Sequence, residues 1–209
     1  MPRRPIIPAG SKTGTVANTT QRASNTLDRV HSDLGRPMTP QCLGGAKHYI
    51  GFRDDATSWT ELESIKKKCD AFGSIKKYFA RCEAMQAVKI KPFRSDNGGE
   101  YTSHAFEEFL ASTGCNHEVS TAYSQEQIGV AERVDRTIVG RVKAMLNGAQ
   151  LAVFLWAEAA RTAVYIMNRT PTRSQTKTPY ELWTGMPAQS LVHLQPCGCE
   201  SWHHVTKVL

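Results

Sequence analysis

Three carboxylates stand where phosphoryl chemistry would need them. Asp33 closes LDRVHSD, a stretch that reads as a short strand; Asp96 directly follows a second such run, VKIKPF, and precedes Asn97-Gly98-Gly99; Glu132 opens a long helical segment. Thirty-five residues separate Asp96 from Glu132. The C-terminal edge of a strand is where open α/β sheets gather ligand groups, and glycines beyond it let backbone approach a ligand closely. At 100° per residue, Glu132 lies about 200° from Val134, away from the apolar stripe of its helix, and an acid in the first turn suits the helix dipole. Carboxylates on three separate elements can hold two Mg²⁺ ions that clamp the attacking and leaving oxygens of a phosphodiester displacement. Mg²⁺ takes only one or two carboxylates and fills its shell with water and phosphate oxygens. Taken singly, an Asp after a strand is most often a turn or cap residue, and a Glu at a helix start a cap, so the three acids alone leave both readings open.

The elements that must position these acids follow from periodicity. KHYIGF and ATSWTELE, joined at Asp54-Asp55, predict a hairpin. Cys69, Phe72, Ile75, Phe79 and Cys82 recur at steps of three and four and predict a helix over 66–85, with Lys67, Lys77 and Arg81 on its opposite face. A helix is expected from 103 to 112, ended by Gly114, then a strand over CNHEVS. Helices are expected over 129–147 and 154–168, and TPYELWTG reads as a short capped helix. The order predicts an α/β protein with a five-stranded mixed sheet flanked by helices. Residues 1–25, rich in Pro, Gly, Ser, Thr and Asn, read as a flexible leader, 26–190 as the core, and 191–209 as a tail.

Composition narrows the partners. The 209 residues carry 26 Lys and Arg against 19 Asp and Glu, a net charge of +7, which favours a polyanion, nucleic acid first. With 40% hydrophobic and 22% charged residues the chain is no wholesale disordered protein. The longest apolar stretch, 151–167, is broken by Glu158 and Arg161, so no membrane span is expected, and the N-terminus lacks the apolar run of a secretory signal. The six cysteines form no CxxC pair and are expected as reduced thiols of an intracellular protein.

The flanks of the three acids carry a resemblance. His31-Ser32-Asp33, the block Arg94-Ser95-Asp96-Asn97-Gly98-Gly99-Glu100-Tyr101, and Gly129-Val130-Ala131-Glu132-Arg133 closely resemble the integrase core of copia-type long-terminal-repeat retrotransposons. So do Trp156-Ala157-Glu158-Ala159, Asn168-Arg169-Thr170-Pro171 and Thr178-Pro179-Tyr180-Glu181-Leu182-Trp183. The likeness runs from about residue 26 to the end. It implies an RNase H-like fold, a D,D-35-E site at Asp33, Asp96 and Glu132, two Mg²⁺ or Mn²⁺ ions, and the joining of element cDNA ends to target DNA in the nucleus by a homo-oligomer. No paired His and Cys array precedes the core and no long basic region follows it, so the chain reads as a core fragment.

The chain also departs from that pattern. Arg36 splits the usual Gly-Pro pair after Asp33, Arg53 stands for an apolar strand residue with Asp54 as its expected partner, and Ser58 replaces an Arg. Gln125 stands for Pro, Ile128 for Asn, and Cys197 for Phe. Asp135 stands for Asn, three residues after Glu132, where its charge is expected to raise Glu132's pKa or to compete for metal. These departures keep a second reading open, a catalytically inactive nucleic-acid-binding remnant of the same fold; a host nuclease with the same triad is a third. Arg133, Arg136, Arg141, Lys143 and Tyr123 are the candidate nucleic-acid contacts. Lys66-Lys67-Lys68 and Lys76-Lys77 read as solvated surface. Cys197, Cys199, His203 and His204 match no zinc spacing, so no zinc is expected and packing is the reading for the cysteines. Trp156 and Trp183 are expected as core anchors.

Overall fold

The structure, a computed structural model, describes residues 22–96, 98–119, 125–172 and 175–200. The leader up to 21, Tyr123, His203 and His204, and the side chains of Gln125 and Ile128 lie outside the described residues. The strands are β1 (Val30–Leu34), β2 (His48–Asp54), β3 (Thr60–Ile65), β4 (Pro92–Ser95) and β5 (Asn116–Val119). The helices are α1 (Ala71–Gln86), α2 (His104–Thr113), α3 (Gln125–Gly148), α4 (Trp156–Asn168) and α5 (Pro179–Thr184). The five strands form one mixed sheet in the order β3-β2-β1-β4-β5, with β1 antiparallel to β2 and parallel to β4. The expected sheet is therefore present.

Strand alternation sorts the side chains into two layers. Val30, Ile50, Phe52 and Phe93 face α1 and α2 in one apolar cluster, where Phe52 stacks on Tyr78 and Phe79 packs against Phe93 and Phe109. Tyr49 and Leu62 face the other way and pack with Ile138, Val142 and Leu146 of α3 and Trp156, Ala160 and Val164 of α4. Both expected tryptophan anchors are buried, Trp156 in the second cluster and Trp183 in the first. Local signals end the helices where the residues suggest. Ser103 accepts from the Phe106 amide at the start of α2, Gly114 closes it in a left-handed conformation, and Thr178 with Glu181 forms a capping box on α5.

Several boundaries differ from expectation. β4 starts at Pro92 because the residues before it, Lys89 and Lys91, stay at the surface, and Val88 is exposed. Cys69 sits in a 3-10 turn ahead of α1 and is exposed, not on its buried stripe. Residues ahead of the expected Leu27 are already tied to the sheet: the Arg22 guanidinium donates to the Asp55 carbonyl at 2.7 Å, and the Ala23 amide donates to the Asp55 carboxylate at 2.7 Å. Cys197 and Cys199 are exposed instead of packed. Lys66, Lys67, Lys68, Lys76 and Lys77 are exposed as expected.

β3 is an edge strand, and α4 closes part of its free side. The buried Asn168 amide donates to the Thr60 carbonyl at 2.8 Å and accepts from the Thr60 amide at 3.0 Å. Asn168→Ala removes both bonds and leaves two backbone groups unanswered, so it is expected to cost about 2–3 kcal/mol. A urea unfolding curve reads this as a lower midpoint; an unchanged midpoint would mean that water replaces the side chain without loss.

Candidate active site

Register brings the first two acids together. β1 and β4 run parallel with His31 beside Arg94, so two residues further on Asp33 lies beside Asp96, at the same end of adjacent strands. Neighbouring strands are about 4.8 Å apart and side chains in register share a face. α3 crosses that face. Asp33, Asp96, Glu132 and Asp135 all line one cleft of about 710 Å³, whose wall on α3 runs from Ala131 to Lys143. The three acids named from the sequence thus border a single cavity.

The carboxylates perturb one another unequally. Burial raises Asp33 to about 6, and the charges of Asp135, Asp96 and Glu100 push in the same direction. Asp135 acts more strongly than Asp96 in this, and the Tyr49 hydroxyl, from β2, donates to its carboxylate. Burial, then that hydrogen bond, keep Tyr49 protonated by raising its pKa. The Tyr49 ring in turn needs Gly35: a Cβ there would come within 2.3 Å of the ring. No sequence signal marked Tyr49, since an aromatic residue in a hairpin strand reads as core.

Glu132 is placed differently from expectation. α3 begins at Gln125, so Glu132 sits two turns inside the helix and the dipole argument for it falls away. Its side chain is 62% exposed and pairs with Arg136, itself 75% exposed, at 3.2 Å. Such exposed i,i+4 pairs are worth only about 0.3–0.5 kcal/mol, so Glu132 is cheaply released. The charge of Asp135 acts on Asp33. Of the candidate cations, Arg136 and Lys143 line the cleft, while Arg133 and Arg141 are not among its lining residues. Arg36, named only as a departure, does line it.

Beside the acids, on the same face of the sheet, lies a charge network of mostly buried side chains. Arg94 donates to Glu118 at 2.9 Å, Arg29 reaches Glu118 at 3.6 Å and Asp55 at 3.2 Å, and His31 meets Asp55 at 3.4 Å. Burial raises the Asp55 pKa, but the His31 and Ala23 hydrogen bonds and the His31 and Arg29 charges outweigh it and leave it lowered. Arg53 does not pair with Asp54 by hydrogen bond. Its guanidinium donates to the Ser58 carbonyl and Thr60 hydroxyl, while Asp54 accepts from Leu27 and Thr57. Burial, aided by Arg22, lowers Arg53 to about 10, still charged at neutral pH.

The comparisons with known proteins agree with this arrangement. No family model matches the chain. The chain is 40% identical over 188 residues to the retrovirus-related Pol polyprotein from transposon TNT 1-94 of Nicotiana tabacum, covering 90% of this chain and 14% of that protein. It is 28% identical over 189 residues to the Pol polyprotein from transposon RE2 of Arabidopsis thaliana, covering 89% of this chain and 13% of that protein. The chain belongs to the copia-type retrotransposon Pol family. It spans about a seventh of the length of these relatives. Among solved structures it matches a chain of the simian T-cell lymphotropic virus intasome in complex with PP2A regulatory subunit B56 gamma, with a TM-score of 0.63 and 17% identity over 90% of this chain and 63% of that one. It also matches the HTLV-2 integrase catalytic core domain in complex with magnesium in its dimeric form, with a TM-score of 0.56 and 18% identity over 76% of this chain and 97% of that one. The fold is that of an integrase catalytic core, RNase H-like.

The donor chemistry of this copia-type core fits a divalent metal. Hard carboxylate oxygens border the cleft, and burial, with the neighbouring acids adding to it, disfavours the charged form of Asp33 there. The geometry is open: among the described residues no three His, Cys, Asp or Glu side chains converge on one ion position. No helix of the described residues is long and apolar enough to cross a membrane.

The Asp33 shift has a pH signature. Its folded carboxyl titrates near 6, above the ordinary 3.8, so its stabilising protonation is complete below 3.8 and is lost as pH rises through about 6. Asp33→Asn is expected to raise the urea midpoint relative to the parent above pH 6, with the advantage vanishing toward 3.8. Asp135→Asn is expected to bring the Asp33 titration down in carboxyl-carbon NMR; an unmoved titration would remove Asp135 from the account.

Proposed function

We propose that this copia-type core is the catalytic segment of an integrase, a metal-dependent polynucleotidyl transferase that joins element cDNA ends to target DNA. The observation that carries the reading is that Asp33 on β1 and Asp96 just past the end of the parallel strand β4 border one cleft with Glu132. Asp33, Asp96 and Glu132 would hold the divalent ions, Mg²⁺ or Mn²⁺. A bound pair supplies Lewis-acid stabilisation of the attacking and leaving oxygens of a phosphodiester. In strand transfer a 3′-hydroxyl oxygen bonds to phosphorus as one existing P–O bond breaks, and the departing oxygen takes a proton; phosphodiesters are conserved in number.

The chain's own groups prepare that exchange. Arg94, fixed by Glu118, stands beside the acids as a buried counter-charge. Tyr49 fixes Asp135 so that it cannot swing freely toward Asp96. Arg136, once it gives up Glu132, is free to meet a phosphate. We assign the core to residues 26–190 and place its work in the nucleus, on DNA, as a homo-oligomer. A second reading, the inactive nucleic-acid-binding remnant, draws support from Asp135, an extra negative charge where the family pattern has Asn.

A strand-transfer or disintegration assay on branched DNA with Mg²⁺ or Mn²⁺ separates the two. The parent chain is expected to be active and Glu132→Gln to lose about a hundredfold or more, the scale of removing one transition-state-stabilising group. Equal, background-level rates in both, with salt-sensitive DNA retention, would establish the remnant.

A further inference from the structure

Asp33 and Asp96 are held in place by different means. Asp33 lies inside the ladder between β1 and β2, opposite Gly51. The ladder between β4 and β5 ends with Ser95 beside Val119, so Asp96 stands one residue beyond it. The Asp96 carboxylate accepts from the Gly98 amide at 3.1 Å, a bond local to its own turn. What ties that turn to the sheet is the side chain before it.

Ser95 is buried, and its hydroxyl donates to the Asp96 carbonyl at 3.0 Å. The same oxygen lies 2.8 Å from Nε2 of His117, on β5. A serine hydroxyl has one proton to give. Once that proton goes to a carbonyl, which only accepts, the contact with His117 is a hydrogen bond only if the ring donates. Burial lowers the His117 pKa and outweighs the opposing charge of Glu107, so at physiological pH the ring is neutral and one nitrogen carries its proton. The two contacts together place that proton on Nε2.

The surroundings hold the ring for this task. His117 pairs in register with Phe93, and the Phe106 ring of α2 meets it edge-on with centroids 5.1 Å apart. Alternation along β4 puts the Ser95 side chain on the Phe93 face, opposite to Arg94. His117 is not among the residues lining the carboxylate cleft. The imidazole therefore reaches Asp96 only through the serine and the backbone.

We propose that His117 is a positioning residue for Asp96: its Nε2–H donates to Ser95 Oγ, the Ser95 hydroxyl donates to the Asp96 carbonyl, and this relay sets the carboxylate beyond the end of β4. The role rests on the integrase reading in taking Asp96 as a ligand of the divalent ion.

Two readouts test it on the full chain. Nitrogen NMR of histidine-labelled protein at physiological pH is expected to show His117 as the Nε2–H tautomer; the Nδ1–H tautomer would overturn the relay. Mn²⁺ affinity, read from the EPR signal of the free ion, is expected to fall about tenfold or more in Ser95→Ala and in His117→Phe, the scale of removing a group that orients a metal ligand. His117→Gln, whose amide donates in place of Nε2, is expected to regain most of that affinity. Asn168→Ala, destabilised away from the cleft, is expected to bind Mn²⁺ as the parent does. Parent-like affinity in Ser95→Ala and His117→Phe, or a loss in His117→Gln as deep as in His117→Phe, would overturn the positioning role and leave the integrase reading standing. A parent chain that binds no Mn²⁺ would overturn the metal-dependent reading and the positioning role together. Should Ser95→Ala fail to fold, the His117 variants and the tautomer decide.

Discussion

The parallel pairing of β1 with β4 sets the terms for the rest of the molecule. It brings Asp33, on β1, and Asp96, one residue past the end of β4, to the same end of the sheet. Like charges at strand spacing are unfavourable, more so when one is half-buried. The structure answers that charge from the side, on the same face. The Arg94–Glu118–Arg29–Asp55–His31 chain begins beside the acids with Arg94 and His31, both of which line the cleft, while the rest of the cleft stays open to ligands.

That division explains why the two halves of the α3 face of the sheet look so different. Under α3 and α4, Tyr49 and Leu62 belong to an apolar cluster that anchors both helices. Toward β4 and β5 the same face is ionic. The cleft lies where one regime gives way to the other, and Tyr49 spans both: its ring packs near Trp156 and its hydroxyl holds Asp135. One side chain thus couples helix packing to the charge distribution of the site.

The sequence made the sheet, the two aspartates and most helices legible, because those follow from alternation, periodicity and turn chemistry. The misreadings have particular causes. Taking Gly129 as the helix start ignored Gln125, Glu126 and Gln127, all good helix formers, and so misplaced Glu132 at the helix end. Pairing Arg53 with Asp54 ignored that neighbours on a strand point to opposite faces. Cys69 was drawn onto α1 by spacing alone, though Lys67 and Asp70 turn the chain there first. Tyr49 was silent as a site residue because its role arises from a contact with Asp135, distant in the chain.

The Asn168 side chain has a meaning for solution behaviour. By answering the Thr60 amide and carbonyl it occupies, with two atoms, a stretch of ladder that a foreign strand would otherwise find vacant. The opposite border, β5, has no such guard among the described residues and is kept modest by brevity, at four residues. The two borders therefore resist fibrillar association by unlike means, one by mimicry of a strand and one by offering too little to grip.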